Sequence, residues 1–125
     1  MTQKEHQEQS ALFSLLRCYH RKYPVLKNVF AIPNGGQRHP AVGAKLKREG
    51  VLAGVWDVFV CVPVDGYSGM WLEMKVHPNR LTKTQQSFKK RVGNAYAWEV
   101  CYSAIEAAHA IGKYLGIQEL KEVEG

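Results

Sequence analysis

Two apolar runs lying close together restrict the fold of this chain more than any other feature. Residues 55–62 (VWDVFVCV) are apolar on both faces except at Asp57, and residues 69–76 (GMWLEMKV) are apolar except at Glu73 and Lys75. Both have the length and the β-branched and aromatic content of strands. Pro63 to Ser68 (PVDGYS) joins them with a connection of hairpin length. A strand that is apolar on both sides needs cover on both sides, so the runs predict the middle of a sheet with helices packed above and below.

The remaining segments supply that cover. Leu12, Leu15, Leu16 and Tyr19 recur at helical spacing, which predicts a helix over residues ~4 to ~22, stopped by Pro24. Asn28 to Ile32 (NVFAI) reads as a short strand, and Pro33-Asn34-Gly35-Gly36 as a turn. Residues 40–49 read as a helix with Pro40 near its start and Gly50 just past its end. A further helix runs from Thr82 to Val92, opened by Thr82 and Gln85 in capping-box spacing. Residues 97–102 (AWEVCY) form another strand, followed by a helix over 103–115 with Ser103 as cap and Gly116 as stop. The acidic tail, 117–125, is expected to fray or add a short turn. The order predicts one α/β domain over residues 1–125, with a mixed central sheet flanked by helices.

Composition narrows the class of partner. There are 17 Lys and Arg against 11 Asp and Glu, a formal net charge of +6, which favours a polyanion. Cys18, Cys61 and Cys101 show no paired or zinc-ligand spacing, so the expected setting is reducing and intracellular. Cys61 and Cys101 sit in apolar runs and are expected to behave as small hydrophobes. The polar start, MTQKEHQEQ, carries no signal-peptide core, and no apolar run approaches the roughly 20 residues of a membrane span.

The charges inside the apolar runs carry the chemistry. Alternation puts Trp71, Glu73 and Lys75 on one face, with Glu73 and Lys75 about 6.6 Å apart along the strand. If the two runs are hairpin partners, Asp57 comes close to that pair. Buried charges are costly unless they are paired or bind metal. Two carboxylates beside an ammonium suit a hard cation such as Mg²⁺ or Mn²⁺. A structural salt bridge is the plainer alternative, because ion pairs produce similar clusters.

The stretches IPNGGQR (32–38), AKLKREGVLAGVWDVFV (44–60), GMWLEMK (69–75) and LTKTQ (81–85) together resemble a VRR-NUC domain, a branch of the PD-(D/E)xK nucleases. Gly50, Gly54 and Asp57 match the family's glycine-spaced approach to its metal-binding Asp, Glu73 and Lys75 its ExK, and Gln85 a Gln in the next helix. Trp56 stands where the superfamily usually has Pro. The resemblance covers residues 5 to 115 and implies a restriction-endonuclease-like fold and Mg²⁺- or Mn²⁺-dependent phosphodiester hydrolysis. Asp57, Glu73 and the main-chain carbonyl of Met74 would hold the metal, and Lys75 would serve the attacking water. A Glu in the first helix, four residues before a Gln, is expected too. Glu5 with Gln9 fits that spacing, with Glu8 as the competitor. Gln85 has a helix-capping reading and a site reading.

Asn34, Gly35, Arg38, Lys45, Lys47, Arg48 and Lys83 are the expected nucleic-acid contacts. A second basic group includes Arg80, Lys89, Lys90 and Arg91. What the resemblance implies is an endonuclease of branched DNA such as Holliday junctions. It would be phage-encoded, homodimeric and active in the cytoplasm of a bacterial host. A non-catalytic nucleic-acid-binding module that keeps the fold is the alternative.

Overall fold

The computed structural model describes residues 1–33 and 39–125. Asn34, Gly35 and Arg38 therefore lie outside the described residues, as does most of the expected turn. The elements are α1 (Gln3–Tyr19), a 3₁₀ turn (Pro24–Asn28), β1 (Val29–Ala31), α2 (Pro40–Arg48), β2 (Val58–Val60), β3 (Met70–Met74), α3 (Lys83–Val92), β4 (Ala97–Cys101), α4 (Ala104–Leu115) and α5 (Gln118–Lys121). The strands form one sheet in the order β1-β2-β3-β4. The β1–β2 and β2–β3 pairs are antiparallel, and β3–β4 is parallel. This is the mixed sheet flanked by helices that the pattern predicts.

The hairpin between β2 and β3 forms as expected. Val64 and Tyr67 exchange main-chain hydrogen bonds of 3.0 and 2.9 Å across Asp65-Gly66. Both central residues have positive φ, 47° and 87°, which an Asp-Gly pair accommodates at little cost.

The sheet has two unlike faces. Val29, Val58, Val60, Met70, Leu72, Met74 and Cys101 join Leu12 and Leu16 of α1, Ala107, Ala108 and Ile111 of α4, and Ile117 and Leu120 in one buried cluster. On the opposite face an aromatic row crosses every strand in register, Phe30–Phe59–Trp71–Trp98. Neighbouring ring centroids in that row are 5.9, 4.4 and 6.2 Å apart. Phe88 of α3 closes the row edge-on against Trp71 and Trp98. Helices thus cover both faces, as the doubly apolar strands require.

Three expectations need correction. Both strong strands are shorter than their apolar runs. The Val76 N–H leaves the ladder and donates to a Glu5 carboxylate oxygen at 3.1 Å, which ends β3. The first helix stops at Tyr19 rather than near residue 22. Cys61 is exposed while Cys101 is buried, because Cys61 lies just past the end of β2. The acidic tail takes the second of its two expected forms, a short turn: Gly116 reverses the chain at φ 72°, and α5 folds back with Leu120 fully buried. Among the described residues, no helix is long and apolar enough to cross a membrane.

Candidate active site

Among the described residues, the buried charged ones are Glu5, Asp57, Glu73 and Lys75, each 7% exposed or less. All of them line one cavity of about 210 Å³, together with Gly54, Val55, Thr82, Thr84 and Gln85. Asp57 arrives on the segment just before β2, and Glu73 and Lys75 come from the end of β3. Antiparallel pairing of Val58 with Leu72 puts Asp57 next to Glu73. The hairpin pairing expected from the sequence therefore forms, and its register brings the acids together.

Short hydrogen bonds fix the acids. Glu73 Oε1 accepts from the Asp57 N–H at 3.1 Å, and Asp57 Oδ2 accepts from the Met74 N–H at 3.0 Å. Each carboxylate thus holds the other's strand. Lys75 Nζ stands 3.5 Å from Glu73 Oε2. The salt bridge of the plainer reading is present, yet one lysine faces an excess of buried acid. Burial, then the Asp57 charge, pushes the Glu73 carboxyl up to about 8 despite the pull of Lys75. Burial raises Asp57 as well. Both carboxyls are thus held above the ordinary carboxylate range by burial in one cavity.

Two helix starts complete the cavity, and each uses a capping box. At α3, Thr82 accepts from the Gln85 N–H while Gln85 Oε1 accepts from the Thr82 N–H at 2.9 Å. The other end of the same amide, Nε2, donates to Glu73 Oε2 at 2.9 Å. Both readings of Gln85 therefore hold as geometry, since one side chain caps the helix and touches the acid. At α1, Glu5 Oε1 accepts from the Thr2 N–H at 2.9 Å, and Oε2 accepts from Val76 N–H and Asn79 Nδ2. Burial alone would raise Glu5, but these hydrogen bonds and the Lys75 charge hold it below the ordinary value. Glu8 points elsewhere and accepts from the Ala104 N–H at the start of α4. Of the two competing acids, Glu5 is thus the one in the cavity. Gln9 does not line it; its Oε1 is buried with no hydrogen-bond partner among the described residues.

Sequence reasoning missed three contributors. The Thr2–Glu5 capping box has the same spacing as Thr82–Gln85 and was legible. Asn79, which steadies Glu5, carried no local signal. Trp56 is fully buried, its indole N–H donates to the Gln85 carbonyl at 3.0 Å, and its ring meets Trp98 edge-on. The residue that stands in place of proline thus ties the segment before Asp57 to the first turn of α3. Gly54 lets that segment pass beneath the helix: a Cβ there would lie 2.6 Å from the Thr84 carbonyl oxygen. Lys45, Lys47, Arg48 and Lys83 are all exposed, the first three on α2, which buries no residue.

Among the described residues, no three His, Cys, Asp or Glu side chains gather as a metal cage. Asp57 and Glu73 are two carboxylates lining the same cavity. That donor set fits Mg²⁺, which takes one or two carboxylates and completes its shell with water and substrate oxygens.

No protein-family model and no curated protein matches this sequence. Among solved structures, the fold is similar to that of a VRR_NUC domain protein with a TM-score of 0.71. The two are 20% identical, over 90% of this chain and 88% of the other. The chain therefore has the fold of a VRR_NUC domain protein, a mixed sheet with helices on both faces.

Proposed function

We propose that this chain is a Mg²⁺- or Mn²⁺-dependent DNA endonuclease that hydrolyses phosphodiester bonds. The observation that carries the reading is the burial of Asp57, Glu73 and Lys75 around one cavity, two acids sharing a single lysine. An arrangement kept only for stability would not leave two carboxyls competing for a proton in a dehydrated place. The similarity of fold to a VRR_NUC domain protein supports the same reading.

In this proposal Asp57 and Glu73 hold the cation, with the Met74 carbonyl as a third oxygen. When bound, the cation polarises a phosphoryl oxygen and favours ionisation of the attacking water. Lys75 orients that water and offsets the charge that develops on the phosphorane oxygens. Gln85 keeps Glu73 turned toward the cavity, and Glu5 keeps Lys75 in place by charge. Lys45, Lys47, Arg48 and Lys83, with Asn34, Gly35 and Arg38, contact the DNA backbone.

Branched DNA such as a Holliday junction is the proposed substrate, cut by a homodimer, because paired incisions need two centres. Val42 and Leu52, each 50% exposed beside α2, offer an apolar surface for the second copy. Phage origin and action in the bacterial cytoplasm belong to the same proposal. The alternative is a nucleic-acid-binding module without catalysis.

The test incubates the protein with supercoiled plasmid and with synthetic junctions in Mg²⁺, Mn²⁺ or EDTA. Cleavage should need the metal and disappear in Lys75→Ala while DNA binding persists. Cutting in EDTA, or full activity in Lys75→Ala, rejects the mechanism. Binding with no cleavage under any metal selects the non-catalytic alternative. Junctions cut no faster than plain duplex would remove the branched-DNA preference.

A further inference from the structure

The catalytic cavity borders a second, larger one with which it shares part of its lining. The outer cavity has a volume of about 540 Å³ and shares Met1, Glu5, Lys75 and Thr82 with the inner one. Beyond those it is lined by Thr2, Asn79 and Arg80. The charges are segregated between the two. Asp57 and Glu73 face only the inner cavity, Lys75 faces both, and Arg80 faces only the outer.

Arg80 is exposed, and its guanidinium has no hydrogen bond or ion pair among the described residues. The residue just before it, Asn79, is anchored. The Asn79 N–H donates to the Val76 carbonyl at 2.8 Å, the Asn79 side chain donates to Glu5, and the Asn79 carbonyl accepts from the Tyr102 hydroxyl. Arg80 therefore presents an unpaired guanidinium fork that can take up a bidentate partner. Glu5 is the acid of the outer cavity. Its Oε1 accepts from Thr2 and its Oε2 from Val76 and Asn79, so three donors already offset its charge toward an incoming anion.

We propose that the outer cavity is a phosphate subsite, in which Arg80 grips the phosphate next to the scissile one on the same strand while Lys75 borders both. This inference rests on the nuclease reading for the identity of the inner ligand. It adds a specific residue and a specific position on the DNA. The occupant is a phosphodiester, because the subsite continues from a phosphodiester-cleaving centre and presents positive charge at the point where a polyanion leaves it.

The experiment uses the full chain and a synthetic junction carrying one uncharged methylphosphonate, stepped through the linkages flanking the cut. In the wild type, one neighbouring linkage should lower kcat/KM by about tenfold or more when neutralised, the scale of a charge-assisted hydrogen bond. Arg80→Ala should lose about as much on ordinary DNA and then become indifferent to that linkage alone. Arg80→Lys, which keeps the charge but not the fork, should recover part of the loss. Effects that multiply at every position, or an Arg80→Ala variant as active as wild type, overturn the subsite.

A parallel arm measures binding to the same DNA by fluorescence anisotropy in EDTA, where no cleavage is needed. There Arg80→Ala should reduce the slope of log Kd against log salt by about 1 and abolish the penalty of one linkage. If the binding arm succeeds while no metal supports cleavage, the nuclease reading fails and the phosphate subsite stands. If cleavage proceeds but Arg80→Ala moves neither arm, the subsite fails and the nuclease reading stands. Circular dichroism of the variants checks the fold, which the exposed Arg80 does not support.

Discussion

On one face of the sheet, Val58, Val60, Met70, Leu72 and Met74 are sealed by α1, α4 and α5. On the other face, the same short strands carry Phe59 and Trp71 under α3, and one step further along they carry Asp57 and Glu73. The first face is aliphatic, buried and free of charge. The second is aromatic and then acidic, and at its acidic end the backbone gives up ladder bonds to side chains: Val76 to Glu5 and Met74 to Asp57. The contrast separates two tasks within single strands. Alternation lets β3 place Leu72 in the core and Glu73 in the proposed active site one residue apart, so a change on one face should leave the other largely untouched.

The comparison can be broken from either side. Leu72→Ala empties a fully buried site and should lower stability by about 2–5 kcal/mol in urea unfolding, while the molecules that remain folded keep their activity. A folded Leu72→Ala variant that had lost cleavage would show the faces to be coupled. The opposite change is Lys75→Ala. Its turnover should fall by about 10²–10³-fold, the scale of losing one transition-state donor, and its thermal midpoint should fall less than that of Leu72→Ala.

The acidic face also has a distinctive pH dependence. Glu73 is raised from its ordinary value to about 8 by burial and by Asp57, so between those values the folded protein binds more protons than the unfolded chain. Its contribution is therefore full below the ordinary carboxylate range and is lost as pH rises through about 8. Metal-free protein should be less stable to urea at pH 8.5 than at pH 5, and Glu73→Gln should flatten that slope. Glu5, whose carboxyl is lowered, acts in the opposite sense, losing stability as pH falls through its folded value. A divalent ion should reduce the alkaline loss, since it takes the place of the proton. A slope unchanged by Glu73→Gln would assign the effect to other groups.

The smallest expected effect sharpens the role of the residue between the faces. Trp56→Phe keeps the ring against Trp98 but removes the N–H to the Gln85 carbonyl, and should cost about 1 kcal/mol in thermal unfolding. Activity should drop only a few-fold, because Gln85 retains its own capping bonds. A loss as large as that of Lys75→Ala would mean that the anchor sets the position of Glu73 directly.

Much of this was legible in the chain itself. The two apolar runs, the Asp-Gly turn between them and the period-2 alternation determined the hairpin, and the hairpin register determined that Asp57 would meet Glu73. Thr82 with Gln85, Ser103 and Gly116 marked helix ends through local hydrogen bonding, which depends on residues only a few positions apart. What only the tertiary structure decided lies between distant segments. The choice of Glu5 over Glu8 depends on how α1 docks against the end of β3, 71 residues away from Val76. The use of Trp56 as an anchor depends on α3 crossing above Gly54, and the burial of Leu120 depends on α5 folding back onto α4. Periodicity and capping report what a segment does to itself. Which acid is desolvated, and which tail is covered, depends on packing between elements, and a local pattern holds no record of it.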